Sequence, residues 1–193
     1  MTNKEVEKAL GATITPGKER LIGDLHFFDK NIIQMAPRDF ENVEIMNKFM
    51  IDMWNSETDD EDTVIVVGDF FDCSNCTKEE MFHVLDQLKG KIVLIVGNHD
   101  YPCLDWYREY GITVIEYPIV KDEFWIISHE PQYVSMAAPY ANIFAHVHLN
   151  PMYNDVSPRS FCVSAERLGY KPMLLSKIKA AVLQCVKEVN HAE

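Results

Sequence analysis

The chain has no run of 18 apolar residues, so no segment reads as a membrane-spanning helix. Positive charge is scarce: 18 Lys and Arg face 30 Asp and Glu, for a net charge of −12. Such a field repels polyanions and sets the sequence against stable binding to duplex DNA or an anionic membrane. It does not exclude a small phosphate ester, because bound metals can reverse the local sign. Cysteine is sparse and odd in number, at five in 193 residues. A chain of this length buries most of its surface without disulfide staples, so a reducing cytosol is the expected setting. The opening MTNKEVEKALG lacks the apolar core of a secretory signal, which also points to a cytoplasmic location. There is no internal repeat and no low-complexity tract.

Hydrophobic residues at 47% and charged residues at 25% sit near globular averages, and the length suits one domain. Residues 1–18 are polar and close on Thr15-Pro16-Gly17-Lys18, a turn signal, so they read as an appendage to a domain over 19–193. Residues 42–55 space Ile45, Met46, Phe49, Met50, Met53 and Trp54 at helical intervals. That stripe predicts an amphipathic helix whose methionines pack rather than bind. Residues 77–88 and 176–187 predict helices on the same pattern.

The apolar runs at 20–23, 63–68, 92–97, 124–128 and 142–145 are β-branched or aromatic and predict strands, with a further one over 159–165. The first five each end in a polar cluster. These are Asp24-Leu25-His26, Asp69-Phe70-Phe71-Asp72, Asn98-His99-Asp100, His129, and His146-Val147-His148. Ligands of α/β sheets gather beyond the carboxyl ends of strands, and five of the seven histidines lie at these ends. One shared metal site follows. A mixed set of carboxylate, imidazole and amide groups suits Mn, Fe or Zn better than Mg. Early helices alternate with strands and the second half is strand-rich. The expected fold is α/β, with two mixed sheets packed as a sandwich and helices outside.

The ordered motifs Gly23-Asp24-Leu25-His26, Gly68-Asp69-Phe70-Phe71-Asp72, Gly97-Asn98-His99-Asp100, Ser128-His129 and Ala145-His146-Val147-His148 resemble the calcineurin-like metallophosphoesterase superfamily. The closest likeness is to small bacterial and phage phosphoesterases. It extends through His26 to Ile33, Met46 to Asn55 and Leu168 to Pro172. The resemblance implies two divalent metal ions. Asp24, His26 and His148 would hold one, Asn98, His129 and His146 the other, and Asp69 would bridge them. His99 would protonate the leaving oxygen, Asp100 would orient His99, and Asp72 would stand behind the ligands or serve only its own turn. Two such metals clamp the phosphate and make hydroxide available near neutral pH. The expected function is hydrolysis of a small, nucleotide-like phosphodiester. A nuclease and a catalytically silent interaction scaffold are the alternatives, but the motif set is complete and the chain is short and acidic.

The sequence departs from the family pattern in places. Ala145 replaces the usual Gly, and Phe28-Asp29 stands where close relatives often have Gly-His. Asp72 is followed by Cys73-Ser74 rather than the Arg-Gly of the protein Ser/Thr phosphatases. Cys73-x-x-Cys76 has zinc or redox spacing, but no second pair completes a tetrahedral site. Lys30, Asn31 and Arg38 are candidates for substrate contact, and Tyr101 and Trp106 for stacking on a base.

Overall fold

The computed structural model describes residues 17–36, 38–135, 137–151 and 157–191. The predicted N-terminal appendage lies, except for its last two residues, outside them. The first sheet contains β1 (Glu19–Ile22), β2 (Thr63–Val67), β3 (Lys91–Ile95), β4 (Thr113–Ile115) and β9 (Met173–Leu174) in the order β4-β3-β2-β1-β9. Four strands run parallel, and β9 pairs antiparallel on the edge of β1. The second sheet contains β5 (Ile119–Lys121), β6 (Trp125–Ser128), β7 (Ala141–Phe144) and β8 (Ser160–Cys162), in sequence order. Here β5 is antiparallel to β6, while β6, β7 and β8 are parallel.

The period-2 alternation of strands decides which face packs on what. On one face of the first sheet, Ile22, Val64, Val66 and Leu94 join a core with Met46, Met50 and Trp54 of α2 (Val43–Glu57). Met81, Val84 and Leu85 of α3 (Lys78–Leu85) and Tyr107 of α4 (Leu104–Tyr110) complete that core. On the opposite face, Leu21, Ile65, Val67, Val93 and Ile95 meet Ile127, Ile143 and Val163 around the second sheet. Leu175, Ile178 and Val182 of α5 (Leu175–His191) pack into the same core. Each such fully buried aliphatic side chain contributes about 1.5–3 kcal/mol. Both faces of β2 are covered, which is why Thr63–Val67 is continuously apolar after its first residue.

The helices begin where side chains satisfy their free N–H groups. Asn42 accepts from the N–H of Ile45 at 2.9 Å, and Thr77 with Glu80 forms a capping box on α3. Only part of the predicted stripe on α2 faces the core. Met46, Met50 and Trp54 are fully buried, whereas Ile45 and Phe49 lie outward. Phe49 instead contacts Phe40 and Tyr170 in an aromatic cluster over the helix. A one-turn helix, α1 (Ile32–Met35), and 3-10 turns at Tyr101–Cys103 and Ala165–Leu168 complete the elements. Among the described residues, no helix is long and apolar enough to cross a membrane.

Candidate metal centre

All five predicted polar clusters lie at the carboxyl ends of β1, β2, β3, β6 and β7. Their backbones are unusual. Asp24, His26, Asp69, His146 and His148 all have positive φ, between 48° and 70°. Non-glycine residues in this region cost about 1–3 kcal/mol each and persist only where surroundings impose them. Here the surroundings are adjacent loops. The N–H of Asp24 donates to Gly68 O, that of His26 to Asp69 O, and that of Phe27 to Phe70 O, at 2.9–3.0 Å. The loop after β7 joins them when the N–H of His146 donates to Asp24 Oδ1 at 2.9 Å.

The loops approach so closely that glycine is required at two points. A Cβ on Gly68 would lie 2.2 Å from His129 Nδ1, and one on Gly97 would lie 2.3 Å from Asp69 Oδ1. At Gly23 the space is taken by the methyl of Ala145, 2.5 Å from where a Cβ would stand. The departure at Ala145 is therefore absorbed by its neighbour across the loop.

The side chains converge as two groups. Asp24, His26 and His148 place one ligand-type atom each within 4.8 Å of one another, and Asp69, His129 and His146 do the same. Asn98 joins the second group, its Oδ1 3.0 Å from His129 Nε2. Asp69 faces both groups, with Oδ2 3.2 Å from His129 Nε2 and 3.5 Å from His26 Nε2. The rings are held from behind. His129 Nδ1 is 2.9 Å from the carbonyl of Val67 and His148 Nδ1 is 2.9 Å from Glu166 Oε1, while His26 Nδ1 faces Asp29 Oδ2 at 3.3 Å without a hydrogen bond. Each contact leaves Nε2 toward the centre. His146 instead turns Nδ1 inward, 3.1 Å from His129 Nε2.

The donor set fits cations. Asp24 Oδ2 and His26 Nε2 are buried without a hydrogen-bond partner, a costly state for polar atoms unless something else satisfies them. The charges are strongly coupled. Burial raises the pKa of Asp69, but its hydrogen bond and attraction to His129 outweigh that and hold it at about 2. Burial opposes charge on His129, yet Asp69 and then Asp24 raise it to about 9.

A family model, calcineurin-like phosphoesterase, matches residues 20–172, a span that contains every one of these groups. The chain is a calcineurin-like phosphoesterase. The family is one of metal-dependent hydrolases of phosphoesters, and the two side-chain groups are its candidate cation sites here. This phosphoesterase is also similar to the uncharacterized protein MJ1445 of Methanocaldococcus jannaschii, 36% identical over 82% of this chain and 87% of the relative. The crystal structure of AQ665, a protein of unknown function from Aquifex aeolicus, has the same fold. It aligns with a TM-score of 0.67 at 22% identity over 84% of this chain and 97% of that one. The Pseudomonas putida nuclease MPE aligns with a TM-score of 0.47 at 22% identity, over 68% of this chain and 61% of its own.

The structure corrects the expected roles of Asp100 and Arg38 in this phosphoesterase and locates the other candidates. Asp100 does not orient the ring of His99. Its buried carboxyl accepts from the N–H groups of Asp69, Phe70 and Gly97 and from Tyr107 Oη, all at 2.8–2.9 Å. It ties the β2 and β3 loops together, and burial followed by the charge of Asp69 raises its pKa. Asp72 serves its own turn, accepting from Ser74 N and Asn75 Nδ2. Arg38 is buried rather than offered to substrate. Trp106 is partly buried against the helical core, while Tyr101 is 60% exposed. Lys30 and Asn31 are exposed, and the N–H of Asn31 donates to Asp29 Oδ1. Cys73 is joined to Cys103, not Cys76, because the β2 loop and the 3-10 turn bring their Cα atoms to 5.9 Å. Burial pushes the free Cys76 thiol up to about 12, so it is not a reactive thiolate.

Proposed function

We propose that this phosphoesterase hydrolyses small phosphodiesters, with nucleotides the foremost class, using two divalent cations. Asp24, His26 and His148 hold one, and Asn98, His129 and His146 hold the other. The observation that carries this reading is the position of Asp69, whose single carboxylate oxygen faces His26 and His129 at 3.5 and 3.2 Å. Mn, Fe and Zn match the mixed nitrogen and oxygen donors. When bound, the cations offset the charge of the phosphate and supply hydroxide near neutral pH. The protein's own groups fix the reacting geometry. Asp69 also accepts the backbone N–H of His99 at 2.8 Å, which fixes the loop bearing that ring. The ring of His99 is exposed and stands edge-on to His26, with centroids 5.0 Å apart. From there it protonates the leaving oxygen, a contribution of about 10²–10⁴-fold.

The surroundings favour a small ester. A groove of about 590 Å³ opens beside His146 and His148, walled by Ile32, Met35 and Leu149. A second, of about 220 Å³, lies beside Asn98 and His129 and presents Tyr101 and Tyr117 with Glu116 and Glu130. Among the described residues neither groove is lined by Lys or Arg. Grip on a long phosphate chain is therefore missing where it would be needed. The exposed ring of Tyr101 at the second groove supports stacking on a base as its role.

The test is a screen of manganese-loaded protein against cyclic nucleotides, dinucleotides, nucleoside monophosphates and long single-stranded DNA. Faster turnover of a nucleotide-sized diester than of any other class is expected. Exclusive cleavage of the DNA would replace this reading with that of a nuclease.

A further inference from the structure

We infer that Arg38 and Glu166 are positioning residues for one of the two cation sites, the one formed by Asp24, His26 and His148. The inference rests on the two-cation reading above. Glu166 lies in the 3-10 turn after β8, and Arg38 follows α1. Their side chains are 3% and 0% exposed. A buried charged pair is costly unless its geometry is good and its remaining hydrogen-bonding groups are used. Here Arg38 uses Nε, Nη1 and Nη2 and Glu166 uses Oε1 on the site itself, while Glu166 Oε2 is buried without a hydrogen-bond partner.

Glu166 Oε1 accepts from Arg38 Nε at 2.8 Å and forms an ion pair with Nη2 at 2.7 Å. The same oxygen lies 2.9 Å from His148 Nδ1. Arg38 also reaches the other side of the site, donating from Nη1 to the carbonyl of Leu25 at 2.7 Å and from Nη2 to that of Asp24 at 2.5 Å. One guanidinium thus ties the strained Asp24 loop to the carboxylate that orients His148. Its sulfur contacts to Met46 and Met50, and its position over the Tyr170 ring, hold it in place.

The second group is anchored differently. His129 leans on the main-chain carbonyl of Val67, and Asn98 Oδ1 and His146 Nδ1 lie 3.0 and 3.1 Å from its Nε2. Loss of the Arg38–Glu166 pair therefore has a selective consequence. It frees His148 to rotate or to change which ring nitrogen carries the proton, and it leaves the second group intact. Outer partners of this kind typically change metal affinity by about 10–100-fold.

The experiment uses zinc, which is diamagnetic, as the probe. Wild-type, Glu166→Gln and Glu166→Ala proteins are stripped, titrated with zinc by calorimetry, and checked for folding by melting of the metal-free forms. Histidine ring signals in ¹⁵N-labelled protein then report which group each zinc occupies. Glu166→Gln keeps the shape of the side chain and guards against misfolding of the alanine variant. Wild type is expected to bind two zinc ions, with His148 protonated at Nδ1. The inference predicts about 10-fold weaker zinc at the His26/His148 group in Glu166→Gln and about 100-fold weaker in Glu166→Ala. Affinity at the His129/His146 group stays within twofold, and the Nδ1–H signature of His148 is lost in the alanine variant. Wild-type affinity at both groups in both variants, or an equal fall at both groups, overturns the inference. Failure of wild type itself to bind two zinc ions would instead overturn the two-cation reading, so the two failures are distinct.

Discussion

The carboxylate of Asp69 accepts the backbone N–H of His99 at 2.8 Å through one oxygen, while the other faces His26 and His129. Bridging and positioning are thus combined in one side chain. Asp69→Asn keeps an oxygen for His99 but removes the shared charge. Cation affinity should fall by at least ~100-fold, the upper end of what outer partners alone typically cost, and turnover should collapse. Elemental analysis checks this, and two tightly held metals in an active variant would contradict the bridging role.

His99→Ala leaves every proposed ligand in place. Both metals should remain while turnover of an alkyl ester falls by ~10²-fold or more. A nitrophenyl ester, whose leaving group needs no proton, should lose much less. Equal losses for good and poor leaving groups would remove His99 from the acid role.

Gly68→Ala tests how the loops position His129. The residue has φ +82°, and a Cβ there would lie 2.2 Å from His129 Nδ1. Backbone strain alone should cost about 1–3 kcal/mol. The displaced ring should also lose its hold on Val67 O. Calorimetric melts and metal counting are the readouts. A variant that melts and binds as wild type does would show that His129 has more room than the structure gives it.

The ligand clusters were legible in the sequence because the signal is local. A β-branched run followed by Gly-Asp or Gly-Asn is visible within seven residues; three such runs, with two more ending in Ser-His and Ala-His, imply one shared site. The two faces of β2 follow from its unbroken apolar run. Other features depend on tertiary packing. Arg38 and Glu166 are 128 residues apart and carry no local pattern, and nothing near Cys73 names Cys103 as its partner. Asp100 stood beside His99 in sequence, yet its oxygens turn toward the β2 loop. Strands of two or three residues, such as Thr113–Ile115 and Met173–Leu174, are too short to show a period.

Metal uptake should depend on pH in a definite direction. In the metal-free protein the His129 pKa is raised to about 9, whereas Asp69 at about 2 is already ionised at neutral pH. Only neutral imidazole binds a cation, so a proton must leave His129. Between pH 7 and 8, affinity at this group should rise by about tenfold, with about one proton released. Calorimetry in two buffers of different ionisation enthalpy measures that release. Affinity independent of pH over this range would mean that His129 is already neutral before the metal arrives.

The most direct test is a titration of stripped protein with Mn²⁺, following metal bound and hydrolysis of bis(p-nitrophenyl) phosphate in the same samples. The two-group geometry predicts that activity is negligible without metal and climbs chiefly with the second equivalent, when the groups on both sides of Asp69 are filled. Full activity in rigorously metal-free protein, or saturation of binding and activity at a single equivalent, would contradict it.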